Sequence, residues 1–446
     1  MDSGAWWLMM PPNGRKHCNG LLPDILSNLP ENVIDIILMR LPYVDVVRTS
    51  VLSKKWRNNW CRLTELKLDG SIWKTKKDML CPEIKFRNIT NQLMNHHKGS
   101  ITKFTLDISH LDSCLDIDNF ISFLSKNDIQ HLVLHLPCIM NTCALPSSIF
   151  TCSQLRHLDL RYCSMSHLSA FQGFDRLISL KLYQVSISSK LLESLISRCP
   201  LLEQLELRME LRFSEYLDMI EINAPMLRLF DFIGDIGFIC LKNVPRLVKV
   251  SLLGDDMQAE DLDFAKVFES CPAVEHLSFD FISSWFFAEE GYKAPTRLPF
   301  NLNSVKRFHL PNILLVESYK LSYALCLMRS FPYLEYLEIQ VSYEDESESE
   351  ESVELKSLSS MTFNHLREVK VEHFNGGASE MQFIKFLLAN SPMLERMLID
   401  LRCSDAEYFV MRSEISAEVS NFSRASPKVE IVCKLRDRVL GIIKIE

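Results

Sequence analysis

Apolar residues recur along this chain at one spacing. The segments CPLLEQLEL (199–207), CPAVEHLSF (271–279), FPYLEYLEI (331–339) and SPMLERMLI (391–399) each place apolar side chains two, five and seven residues beyond a shared proline. Without the proline, the same register runs from Leu63/Leu66/Leu68 to Leu394/Met397/Ile399, thirteen copies in steps of 20 to 38 residues. Positions +5 and +7 alternate as one face of a short strand, while segments such as SSKLLESLISRCP (188–200) carry the three-to-four spacing of a helix. One strand and one helix per period is the predicted rhythm. Such a unit cannot bury its apolar face alone, so the copies must stack. A set of unrelated strand–helix units in a doubly wound sheet is the alternative. No glycine-rich phosphate fingerprint follows any strand, and the chain holds only 13 Gly.

A different pattern precedes the repeats. Residues 29–42 read LPENVIDIILMRLP. On a helix at roughly 100° per residue, Val33, Ile37, Leu41, Ile34 and Leu38 fill one arc of about 140°. Ile36 and Met39 fall outside it. One core-facing stripe covers one side, so the extra apolar residues imply a second covered surface.

The repeat LRHLDLRYC (155–163) fits the leucine-rich pattern L-x-x-L-x-L-x-x-C residue for residue. The stretch 21–60 resembles the F-box: Leu29-Pro30, the apolar run Val33 to Met39, Leu41-Pro42, a second apolar run Val44 to Leu52, and Lys54-Lys55-Trp56. The resemblance implies a three-helix module that binds a Skp1-type adaptor and, through it, a cullin and a RING subunit of a ubiquitin ligase. By motif position it places Leu29, Pro30, Ile34, Ile37, Leu41, Pro42 and Val46 at or near the docking surface, with Trp56 anchoring the last helix. A helical cap for the repeat array is the bland alternative. FNHLREVKVEHFNGG (363–377) followed by MQFIKFLLANSPMLERMLI (381–399) resembles the FBD segment of plant F-box proteins with leucine-rich repeats. The organisation expected is a flexible N-terminus (1–20), an F-box (21–60), a curved α/β solenoid of parallel strands and helices (61–360), and an FBD-like segment that continues the repeats (361–446).

Charge narrows the partners. Residues 1–100 carry 15 Lys/Arg against 9 Asp/Glu, and the other 346 carry 34 against 48. That acidity speaks against nucleic acid as a partner of the large C-terminal part, because phosphate contacts need clustered cations. No apolar run reaches the roughly 18 residues that span a bilayer, so no membrane is expected. The AWWLMM run near the start is too short and lacks the basic leader of a secretory signal, and Asp2 does not fit myristoylation. The 14 cysteines lack paired spacing, which reads as reduced thiols in the cytoplasm or nucleus.

Little chemistry is visible. Cys138, Cys143 and His96-His97 make no recognised zinc set, and Cys152, Cys199 and Cys271 sit just before the repeat anchor, where a buried thiol is the simpler reading than a nucleophile. No catalytic residue, metal or cofactor is expected. The tract YEDESESEES (343–352) reads as a solvated loop, with phosphorylation of Ser347 or Ser349 as the sharper alternative.

The expected role is therefore a non-catalytic receptor that binds the adaptor through the F-box and an unknown target protein through the repeats. A repeat-based scaffold or inhibitor is the rival. With +5 and +7 inward, +4, +6 and +8 face the strand surface. Position +8 reads Arg161, Tyr183 and Arg208 in three successive copies, with His157, Asp159, Lys181, Gln204 and Glu206 beside them. Arginine matches carboxylate and phosphate geometry, which makes this patch a candidate for an acidic or phosphorylated target segment. Ordinary solvated strand residues in lateral pairs are the alternative.

Overall fold

The computed structural model describes residues 29–73, 81–138, 142–166, 171–209, 219–234, 236–254, 267–280, 297–313, 315, 318–342, 361–402 and 408–435. The expected flexible N-terminus, the leading part of the module (21–28), and the acidic tract with Ser347 and Ser349 lie outside them. The chain divides into two compact units, Met1–Ser186 and Ile187–Glu446.

In the first unit, helices α1 (Glu31–Met39) and α2 (Tyr43–Arg48) each begin just after a proline. The ring fixes φ near the value the first turn needs, and each proline carbonyl accepts from N–H groups of that turn: Pro30 from Val33 and Ile34, Pro42 from Asp45 and Val46. The rest of the helical module closes in 3-10 turns, Thr49–Val51 and Asn59–Arg62. Thr49 and Ser50 donate side-chain hydroxyls to the carbonyls of Val46 and Val47, a bond that competes with regular helix continuation.

Five parallel strands follow: β1 (Glu65–Leu68), β2 (Lys103–Asp107), β3 (His131–His135), β4 (His157–Arg161) and β5 (Ser179–Tyr183). Their register sets Glu65, Lys103, His131, His157 and Ser179 side by side. These are all +4 residues, so the copies are locked in phase. Helix α3 (Pro82–His96) buries Phe86, Ile89 and Leu93 at helical spacing, and α4 (Asp118–Ser125) meets it through an edge contact of Phe86 with Phe120.

The second unit opens with α5 (Ser189–Ser197), capped by Ser188, whose hydroxyl accepts from the Leu191 N–H. Nine parallel strands come next: β6 (Gln204–Arg208), β7 (Leu229–Gly234), β8 (Lys249–Gly254), β9 (His276–Asp280), β10 (Arg307–Ile313), β11 (Tyr336–Val341), β12 (Glu368–Phe374), β13 (Arg396–Leu401) and β14 (Glu430–Leu435). They too pair in phase, from Gln204 through Lys249 and Arg307 to Glu430. Helices α6 (Ser318–Arg329), α7 (Ala378–Asn390) and α8 (Tyr408–Ser420) lie in the connections after β10, β12 and β13.

Every +2, +5 and +7 residue of all thirteen copies is buried. That is the parallel, leucine-rich α/β architecture the spacing predicts. β14 is an addition. The register aligns Ile431 and Cys433 with the +5 and +7 residues Met397 and Ile399, but the position aligned with Leu394 is Lys428. A charged anchor hid this copy from the pattern.

Two expectations are corrected. A helix does not recur in every period: the step of 20 residues from Leu227 to Leu247 holds the short strand Ile239–Lys242 instead, which pairs with Ile220–Asn223 of the step before it. Nor are all thiols unpaired, since Cys114 and Cys143 form a disulfide. Their separation of 29 residues is about one repeat period, so stacking of successive connections brings them together where sequence spacing shows no pair.

Candidate functional site

The helical module buries Ile34 and Leu38 from α1, Tyr43 and Val46 from α2, and Trp56 from the turn beyond. Arg62 ties its end to its beginning, donating to Glu31 at 2.6 Å and Asp35 at 3.1 Å, while the Lys55 ammonium donates to the Leu29 carbonyl at 2.9 Å. Apolar surface is left over. Ile36 (50% exposed), Met39 (43%), Leu41 (38%), Val51 (57%) and Leu52 (56%) all stand open. They are five of the twelve exposed large apolar residues among those described, and they fall within one stretch of seventeen residues. That concentration makes one apolar patch rather than scattered surface.

The residues expected at the docking surface divide. Pro30, Leu41 and Pro42 are exposed, and Leu29 and Ile37 are half-buried. Ile34 and Val46 are corrected: at 0% and 3% exposure they belong to the module's own core, and a partner could reach them only by taking it apart. Ile36 and Met39, three apart on α1, take their place. Val51 and Leu52 carried no signal beyond belonging to an apolar run.

The strand face of the first unit is a lattice of paired charges. Arg161 and Tyr183 are register partners, with the guanidinium 5.6 Å from the ring centre, so the structure brings that pair together. Arg208 stands on β6 of the second unit. Arg161, however, already donates to both carboxylate oxygens of Asp159, at 3.2 and 3.3 Å, and so is not an open anion receiver as expected. Residues two apart on one strand share a face, which is why these two meet. Asp159 also lies 3.7 Å from His135, whose other ring nitrogen is 3.7 Å from Asp107.

Burial pushes the Asp159 carboxyl up, but the nearby His135 ring and the hydrogen bonds from Arg161 outweigh it and hold the group below the usual carboxylate range. A depressed folded pKa contributes stability above the unfolded value of about 3.9, and loses it as pH falls through the folded value. Asp159→Asn should therefore flatten the acid limb of a stability profile measured by urea unfolding from about pH 7 to about pH 3. An acid limb as steep as the parent's would refute the pairing.

Cys152, Cys199 and Cys271 are buried, each with its sulfur near the carbonyl four residues earlier. Burial pushes the Cys152 and Cys271 thiols up to about 12. Such groups hold no thiolate near neutral pH and are poor nucleophiles. Among the described residues no cluster of three or more His, Cys, Asp or Glu is arranged to hold a metal ion, and no helix is long and apolar enough to cross a membrane.

Comparison with known families matches three segments. Residues 26–67 match the F-box domain, 117–339 match the leucine-rich repeats of the FBD-associated F-box protein At5g56370, and 363–399 match the FBD. The chain is 30% identical over 426 residues to the F-box/FBD/LRR-repeat protein At1g13570 of Arabidopsis thaliana, covering 93% of this chain and 99% of that one. Two further Arabidopsis thaliana relatives are the FBD-associated F-box protein At5g22730, 25% identical over 86% of this chain and 89% of its own, and F-box/LRR-repeat protein 13, 28% identical over 67% of this chain and 62% of its own.

Proposed function

The chain belongs to the F-box/FBD/LRR-repeat family, and from that premise we propose that it is the substrate-receptor subunit of a Skp1–cullin–F-box ubiquitin ligase. The observation that carries the proposal is the exposed apolar set Ile36, Met39, Leu41, Val51 and Leu52 on the module that matches the F-box. Burying a large apolar side chain is worth about 1.5–3 kcal/mol, so half-exposed residues retain about 1 kcal/mol each for a partner. Five together suffice for a firm anchor.

In this reading the chain performs no chemistry. The module holds the adaptor, the strand face holds a target protein, and ubiquitin reaches the target because both are on one assembly at high effective concentration. A cytoplasmic or nuclear setting is part of the same proposal, supported by ten free cysteines against one bonded pair among the described residues.

Reconstitution with a Skp1-type adaptor, cullin and RING subunit tests it. A partner captured by the full chain should acquire ubiquitin in that mixture and not when the chain is left out. Capture without ubiquitin transfer would replace the receptor by the scaffold.

A further inference from the structure

The second unit has a hollow of about 460 Å³ on its strand face, over β7 to β11. That volume is within the range of ligand sites, about 300–1,000 Å³. The hollow exists because the +6 residues at its centre are small. Ser251 and Ser278 form the floor, on adjacent strands, between the larger Asp231 on one side and His309 on the other. The +4 row makes one wall, with Lys249, His276 and Arg307 directly paired in register. At about 4.8 Å per strand, the two outer cations start about 10 Å apart, close enough for long side chains to converge over the serines.

What distinguishes this wall is the state of its charges. Cations elsewhere on the strands are mostly answered within the chain: Lys103 by Glu65 at 3.3 Å, Arg161 by Asp159, Lys370 by Glu338 at 2.8 Å, Lys434 by Asp400 at 3.5 Å. Among the described residues Lys249 and Arg307 make no such ion pair. Arg307 instead lies over the ring of Tyr336, 4.2 Å from its centre, which holds the fork in place without neutralising it.

The acidic groups of the hollow differ in how far they are engaged. Glu338 accepts from Lys370 and from the Tyr336 hydroxyl at 3.3 Å. Burial and the neighbouring Glu206 push the Asp231 carboxyl up, while Arg208 and Ser251 work the other way. His276 is held down by burial and by Arg307, and His309 by burial, so both imidazoles favour the neutral form when the site is empty. The hollow therefore offers two cations without an ion pair, the Ser251 hydroxyl beside Asp231, and the Ser278 hydroxyl held 3.1 Å from His309 Nδ1. Glu338 is offset within the chain, whereas Asp231 at the edge keeps one buried oxygen, Oδ1, without a hydrogen-bond partner.

We propose that this hollow receives an anionic side chain of a protein target, a phosphorylated residue or a carboxylate, between Lys249 and Arg307 over the floor of Ser251 and Ser278. The proposal rests on the receptor reading for the identity of the ligand as a protein, and locates the recognition that reading leaves open. Guanidinium and ammonium supply charge, the serines and His309 supply hydrogen bonds of fixed direction, and His276 takes up a proton as the anion enters.

The test uses the full chain bound to its adaptor and three degenerate peptide pools that differ only in a central phosphoserine, glutamate or serine. One anionic pool should be retained at least about tenfold better than the serine pool. Preference for phosphoserine with competition by inorganic phosphate identifies a phosphate; preference for glutamate identifies a carboxylate. Lys249→Glu combined with Arg307→Glu should abolish the preference. Both residues are exposed, so the melting profile should match the parent's. Arg396→Glu, on the same row three strands from Arg307, should leave it intact. Equal retention of all three pools overturns the proposal, as does a preference that survives the double variant or vanishes equally in Arg396→Glu. Adaptor capture is read on the same samples: capture without pool preference sinks the hollow and spares the receptor, whereas failure of adaptor capture sinks the receptor alone.

Discussion

Replacing Ile36 and Leu52 by aspartate abolishes capture of a Skp1-type adaptor and leaves the chain folded. Both side chains are more than half solvent-exposed or at that mark in the isolated chain, so the substitutions disturb little there, within about 0.5 kcal/mol each apart from a small loss of helix propensity at Ile36. In the docked state each carboxylate would be buried without a partner, at about 2–3 kcal/mol apiece. A combined 4–6 kcal/mol is about a thousandfold or more in affinity. Ile37→Asp is a poorer probe, because Ile37 is half-buried and its loss mixes docking with folding. Ile34→Asp is the contrasting control, since it puts a charge at 0% exposure and should unfold the module outright. Pull-down and thermal unfolding on the same samples separate the outcomes. A folded Ile36→Asp/Leu52→Asp variant that captures adaptor as the parent does removes this face from the docking surface.

The strand ladder is legible in the sequence because its signal is local and repeated. Three apolar positions at fixed offsets name a strand, and thirteen copies in one phase name the stack. The helical module was half legible. A helical wheel put Leu41 in one arc with Ile34 and Leu38, but α1 ends at Met39 and the wheel has no meaning past that residue. Only Ile34 and Leu38 of the five arc residues reach the core, since a nine-residue helix packed on one side buries a narrow stripe. The connections were least legible. Their form does not follow from length alone, since steps of 25 residues hold both helix α5 and the short strand Ile220–Asn223.

The candidate site shows the same division. Asp159 and Arg161 are two apart on one strand, so their pairing was readable from the alternation rule. The Lys249, His276 and Arg307 wall was not visible along the chain, because each member is separated from the next by about one repeat. Register alone assembles it. The wall exists only in the +4 column across copies, not along +8. The disulfide of Cys114 and Cys143 was hidden for the same reason, as partners one period apart look unrelated in sequence.

The FBD segment had no chemistry legible in its sequence, and the structure supplies a structural reason for one of its acidic residues. Glu380 is 5% exposed at the third position of α7, and its Oε2 accepts the backbone N–H groups of Asn375 at 2.9 Å, Gly376 at 2.8 Å and Gly377 at 3.1 Å. One carboxylate thus closes the turn FNGG between β12 and α7, with the reach back to Gly377 being half of a capping box. Gly376 takes φ of 79°, a conformation that L side chains rarely adopt, so the turn favours glycine there. Glu380→Ala strips three N–H groups of their acceptor. Each would cost about 1–3 kcal/mol if left unsatisfied in the interior, but Asn375 and Gly377 are exposed and water reaches the gap, so a total of about 2–3 kcal/mol is expected. Glu380→Gln keeps an acceptor of the same shape without the charge, and should lose about half as much. The check is urea unfolding followed by amide hydrogen exchange at residues 375–377, which should lose protection first in Glu380→Ala. Adaptor capture, which belongs to the first unit, should persist while capture of a target by the second unit falls. A Glu380→Ala chain within about 0.5 kcal/mol of the parent would show that the turn holds without its carboxylate.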